Sequence, residues 1–258
     1  MVRMTDALPA WLAVVLHAVV YVTASNVSWL LRLPQPGRRG RWLERTRALG
    51  SRLHLGEALR LAFYLGVPYL LLVDGWLSPL DVGLADLDWI SGVGWTAALA
   101  GASSALLLAL WWPYRRLQQT TGTPDAHRLA QPWGWAFVLR DVLYLEAWWA
   151  FWRTPFVWWL GAYRGVYVGM GAVLLALLLN RRAWRELGTP GLREQLALGL
   201  SMACLSTTVY VYTRNFWLCV STHLVVRVLI TRWANPVVEH FVEDERPASQ
   251  KGTQPRAI

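Results

Sequence analysis

Glu146 is a lone carboxylate in an apolar, Trp-rich run, and Arg153 follows it seven residues later. At about 100° per residue, residues seven apart return to nearly the same helix face, roughly 10 Å apart along the axis. One polar stripe is therefore expected, with Glu146 placed either to take a proton from water in a cavity or to pair with an arginine of a neighbouring helix. Trp148 and Trp149 flank it with apolar surface. Arg140 and Asp141 open the same run and fit an interfacial, solvated position. Near the end of the chain, His223 and Arg227 stand four residues apart and share a second helix face. An imidazole titrates near neutrality, which suits proton transfer, but it also serves as a packing donor, with Ser221 or Thr222 as the nearest partners.

The elements that must position these groups are membrane spans. The chain has 258 residues, 55% hydrophobic, 18 Trp and 16% charged, which exceeds the apolar and aromatic content of an ordinary soluble domain. A span needs roughly 20 mostly apolar residues. Runs at Pro9–Leu31, Leu59–Leu77, Gly92–Trp112, Trp133–Trp152, Val166–Asn180, Gln195–Thr213 and Phe216–Ile230 predict an all-α polytopic bundle of about seven spans. The stretch Thr154 to Arg164 is expected to turn at the far interface, and Arg214-Asn215 to join the last two runs as a tight hairpin.

Charge alternates between the connections. Arg32, Arg38, Arg39, Arg41, Arg45, Arg47 and Arg52 follow the first run, whereas Asp81, Asp86 and Asp88 follow the second. Arg115 and Arg116 follow the third, ahead of a polar loop from Gln118 to Arg128, and Arg181, Arg182 and Arg185 follow the fifth. The positive-inside rule then puts the N-terminus outside and the C-terminus in the cytoplasm; the expected location is a bacterial plasma membrane. The spans occupy residues 1–238, and the charged segment 239–258 is expected to be disordered. A signal peptide cleaved near Val22-Thr23-Ala24 is the alternative for the first run, although Arg3 offset by Asp6 makes a poor n-region. Asn26-Val27-Ser28 fits a glycosylation sequon only by chance, since it lies in that run.

The net charge of +9 and pI of 10.1 come from arginines between apolar runs rather than from one basic face, which argues against a nucleic-acid partner and for membrane lipids. Cys204 and Cys219 both fall within apolar runs and are expected to be buried. No HExxH or paired-Cys pattern supplies a metal site, so no metal is expected and no cofactor is implied. His17 is expected to act as a helix-packing donor and His54 to be solvated.

The segment from Thr213 to Leu229, TRNFWLCVSTHLVVRVL, resembles the last motif of the CAAX-protease and bacteriocin-processing family of intramembrane endopeptidases: a tight turn, a Trp, then a His. Leu145 to Phe156, LEAWWAFWRTPF, resembles that family's first motif, a glutamate pair followed by an arginine, so a family-like core is expected over about 133–232. The resemblance implies hydrolysis of a membrane-associated peptide. Glu146 would activate water, His223 would stabilise the oxyanion or hold the same water, Arg153 would orient the carboxylate, and Trp149 and Arg227 would face the substrate. The sequence departs from the pattern in three ways: Glu146 is single, Arg153 lies further along the helix, and no Phe is followed four residues later by His. Arg227 also stands where the family usually has an amide or carboxylate. Loss of the middle histidine favours a second reading, a non-catalytic member binding a lipid, lipidated peptide or membrane protein in the same cavity. A transporter is the third, though no inverted repeat is visible.

Overall fold

The computed structural model describes residues 4–32, 54–117, 124–188 and 190–234; the Arg-dense connection and the C-terminal tail lie outside these residues. Among the described residues every regular element is helical: α1 (Met4–Arg32), α2 (Leu55–Val73), α3 (Pro79–Val82), α4 (Trp89–Leu117), α5 (Pro124–Leu129), α6 (Gly134–Leu178), α7 (Arg181–Glu186), α8 (Pro190–Thr213) and α9 (Phe216–Ala234). Six of them, α1, α2, α4, α6, α8 and α9, are long and apolar enough to cross a membrane. Their outward faces carry bare apolar side chains such as Leu12, Leu16, Ile90, Leu106, Leu110 and Trp159, as expected of surface bathed by lipid.

The 45 residues of α6 would measure about 68 Å as one rod, more than twice the hydrocarbon thickness. It is not one rod. Gly161 takes φ 79° and ψ 167°, outside helical space, and the chain folds back on itself there. A side chain at Gly165 would meet the Phe156 carbonyl oxygen at 2.3 Å, and one at Gly169 would meet Arg153 Cα at 2.5 Å. The four-residue spacing of Gly161, Gly165 and Gly169 thus lets two antiparallel arms touch backbone to backbone. The expected turn from Thr154 to Arg164 narrows to Gly161, because the helix carrying Glu146 runs on to Leu160 and Pro155 is accommodated within it.

α8 and α9 form the hairpin expected around Arg214-Asn215. Arg214 adopts φ 46°, and the Asn215 side-chain oxygen accepts from the Trp217 and Leu218 amides at 2.9 and 3.2 Å. It thereby satisfies two of the donors that every helix start leaves open. The loop after α2 grips this hairpin tip: Phe216 N donates to Gly83 O at 2.8 Å, and the Tyr210 hydroxyl donates to Asp81 O. Trp158 Nε1 donates to the Asp81 carboxylate. Asp88 caps α4 from outside the span, accepting from the Ser91 hydroxyl and from Ser91 N. These donors hold its carboxyl below the ordinary value of 3.8.

Within α2, Pro68 has no amide to give the Tyr64 carbonyl, and the helix relaxes into a π turn over Ala62–Gly66. Asn26 bridges two helices. Its side chain donates to Val22 O at 2.9 Å and Leu179 O at 3.3 Å and accepts from Arg181 N at 3.0 Å, tying α1 to the end of α6. Cys219 is buried as expected, but Cys204 is exposed because it lies on the outer face of α8. The expected polar loop before Arg128 contains the short helix α5, whose Asp125 is buried at 2% exposure.

Candidate active site in the helix core

α6, α8 and α9 pack along one another and bring residues from distant stretches of the sequence together. Glu146 is fully buried at 0% exposure, His223 at 1% and Ser206 at 1%. His223 Nδ1 lies 2.8 Å from Glu146 Oε1, and the Ser206 hydroxyl donates to Glu146 Oε2 at 2.6 Å. Both carboxylate oxygens are therefore bonded, and no bridging water separates the acid from the imidazole. Burying a carboxylate without partners would be prohibitive, and these two contacts are what make the position tenable. Cys219, one turn before His223, reaches Ser206 O at 3.6 Å through its thiol, closing α8 against α9 beside the pair.

The hydroxyls of α8 show why Ser206 is special. Ser201, Thr207, Thr208 and Thr213 each donate to the carbonyl four residues earlier, the usual way a helix satisfies a hydroxyl internally. Ser206 reaches across to Glu146 instead. Ser221 and Thr222, the partners expected for His223, follow the internal pattern and bond to Trp217 O and Leu218 O.

Trp149 lies parallel to the His223 ring, 5.4 Å between centroids and 6° between planes. The same indole walls a cleft of about 200 Å³ that also touches Leu145, Trp148, Val173, Leu196 and Ala203. A larger apolar cleft of about 370 Å³ between α1 and the returning arm of α6 is lined by Trp11, Val14, Trp152 and Phe156, and neither Glu146 nor His223 reaches it.

Arg153 is 3% exposed. Its guanidinium sits over the Tyr210 ring at 3.3 Å, and its Nε and one terminal nitrogen have no hydrogen-bond acceptor among the described residues. It shares the helix face of Glu146 as expected, but its contact is the aromatic ring rather than the carboxylate. Arg227 turns towards Asp125, gripping one carboxylate oxygen with Nε at 2.9 Å and a terminal nitrogen at 2.7 Å. That pair joins a charged layer where α6 begins. Asp141 accepts from Arg60 at 3.3 Å, Arg128 at 2.7 Å and Arg140 at 3.1 Å, and Arg140 reaches Glu57 at 3.1 Å. Arg140 and Asp141 are thus bound into a network rather than individually solvated.

His17 is buried, but among the described residues neither ring nitrogen has a partner, and the ring stands edge-on to Phe63 at 3.8 Å and 5.1 Å from Phe151. His54 is exposed. Among the described residues no group of three or more His, Cys, Asp or Glu could hold a metal ion. Ser206 and Asp125 were missed in the sequence, the first because Ser is unremarkable in a span, the second because it lies in a polar stretch. Comparison with protein-family models, with curated proteins and with solved structures finds no match to this chain.

Proposed function

We propose that the chain is a CAAX-protease-like intramembrane hydrolase of a bacterial plasma membrane, acting on a membrane-associated peptide at the Glu146–His223 centre. The observation that carries this reading is the 2.8 Å contact between two almost fully buried proton-active groups 77 residues apart. Such an arrangement is tolerated inside a membrane bundle where function requires it. Counting the two arms on either side of Gly161 separately gives seven spans. The connections that follow Arg32, Arg115 and Arg181 then share the cytoplasmic side with the C-terminus, and the connection with Asp81, Asp86 and Asp88 lies outside with the N-terminus. Trp149 both lines the cleft and stacks on His223, so a substrate segment held in the cleft lies next to the centre. Arg153, with two nitrogens unsatisfied among the described residues, is a cation that can take a substrate carbonyl or carboxylate.

The test is cleavage of a quenched fluorescent peptide carrying a farnesylated cysteine near its C-terminus, by full-length protein in proteoliposomes. Glu146→Gln keeps the shape of the site and should lower the rate about 100-fold or more. A wild type that cleaves no better than this variant sinks the hydrolase.

The Arg227–Asp125 pair favours a second reading. With Arg227 committed to Asp125, the position one turn past His223 offers a substrate nothing, as in a family member that keeps the cavity to bind a lipidated peptide without cutting it. Saturable binding of the same peptide to a wild type that does not cleave it would establish that role.

A further inference from the structure

We infer that the proton-accepting atom of this centre is His223 Nε2, with Glu146 and Ser206 as positioning residues that never exchange the reacting proton. This rests on the hydrolytic reading above and reverses the roles that the family resemblance implies. The reason is hydrogen-bond bookkeeping at Glu146. An ionised carboxylate only accepts: one oxygen takes the Ser206 hydroxyl at 2.6 Å, and for the other to pair with His223 Nδ1 at 2.8 Å the ring proton must sit on Nδ1. A proton on Nδ1 leaves Nε2 as the bare, basic nitrogen of the neutral ring. Nε2 is buried and, among the described residues, has no protein partner, so it is the basic ring nitrogen left to take a proton.

The surroundings fix this arrangement. Trp149 stacked at 6° holds the ring plane, and its face, 5.4 Å away, suits the imidazolium that forms on protonation. Ser206 withholds its hydroxyl from the helix ladder to hold the far oxygen of Glu146, so the near oxygen stays aimed at Nδ1. A serine nucleophile is excluded by the same contact, because the Ser206 proton points at Glu146 and not at the imidazole.

In the reaction, Nε2 takes a proton from water and the resulting hydroxide adds to the peptide carbonyl carbon. Collapse of the tetrahedral intermediate breaks the C–N bond, and the proton on Nε2 passes to the departing amine. The products are a carboxylic acid and an amine, and Glu146 stays ionised throughout, facing the Nδ1 proton.

Nitrogen NMR of full-length protein in lipid nanodiscs, labelled at histidine and assigned by the signal lost in His223→Gln, reads the tautomer without any substrate. The inference requires Nδ1 protonated and Nε2 bare at neutral pH. A proton on Nε2 with Nδ1 bare would make Glu146 a protonated donor and overturn it. In the cleavage assay, Ser206→Ala should lower kcat about tenfold or more with KM little changed, and Ser206→Thr should restore most of it. An unchanged kcat, or a loss confined to KM, removes Ser206 from the mechanism. A wild type inactive on the peptide overturns the hydrolytic reading, and the role of Nε2 with it, whereas the wrong tautomer in an active enzyme overturns this inference alone.

Discussion

Replacing His223 with Leu should unsettle the protein far more than its single lost contact suggests. The substitution leaves the Glu146 carboxylate, at 0% exposure, with one hydroxyl donor and no imidazole. Stripping one partner from a buried charged pair costs about 3–5 kcal/mol. Glu146→Leu alone is milder, at about 1–3 kcal/mol, because it strands only a neutral ring nitrogen; Ser206 can rotate back to the Met202 carbonyl in its own helix. The double variant removes both polar groups at once, and apolar replacement of a buried pair is often neutral or stabilising. The cycle should therefore close with a coupling of about 2 kcal/mol or more, well above the average of about 0.6 kcal/mol measured for interhelical hydrogen bonds in membranes. Reversible unfolding of the four proteins in mixed micelles, followed by circular dichroism, supplies the free energies. A His223→Leu variant within about 0.5 kcal/mol of wild type, or a double variant equal to the sum of the singles, would refute the reasoning; contacts in direct touch should not be additive.

The same titration tests the helical hairpin. Gly165→Ala must push the facing backbones about 1 Å apart and should cost about 1–3 kcal/mol, whereas Gly171→Ala on the same arm meets open space and should be neutral or slightly stabilising. Asn215→Ala deletes a helix cap with two amide contacts and should lower stability by about 1–2 kcal/mol. Asp88 carries a pH signature. Its folded carboxyl is held below 3.8 by Ser91, so its contribution is present above the unfolded value and is lost as pH falls through the folded one. Carbon NMR titration should show Asp88 moving back towards 3.8 in Ser91→Ala, and an unchanged midpoint would exclude the cap as the cause.

Hydropathy made the apolar helices legible because each must satisfy its backbone internally across the hydrocarbon. The ends of the runs were less so: Leu55–Val73 begins and ends four residues earlier than its apolar run, and the partly exposed Glu57 and Arg60 at its start pair with Arg140 and Asp141 across the bundle. Glu146, Arg153 and His223 stood out as charge or imidazole in apolar sequence, and Glu146 and His223 do meet. Ser206 did not stand out, since the hydroxyls around it look identical in sequence and only packing decides which one leaves its own ladder. Cys204 was misplaced for a related reason. An apolar run reveals that a helix is in lipid, but with apolar residues on every face it hides which side meets protein. The turn at Gly161 was readable in principle from the Gly161, Gly165, Gly169 spacing, a signal of close helix contact that outweighs the aromatics on either side.

The 77-residue separation between Glu146 and His223 also sets an order of events during biosynthesis. The ribosome delivers Glu146 to the bilayer before either Ser206 or His223 has been made. For that interval the nascent helix holds a carboxyl and the Arg153 cation with no partners from α8 or α9, against an insertion penalty of about 2.5–3.5 kcal/mol per charge. What carries it is the rest of the segment, whose mean hydropathy is 1.5, together with the glycine-faced arm that follows immediately and can fold against it. The last hairpin then arrives at a half-built bundle and completes the centre, so truncation before α9 should leave a chain that inserts but never assembles its core.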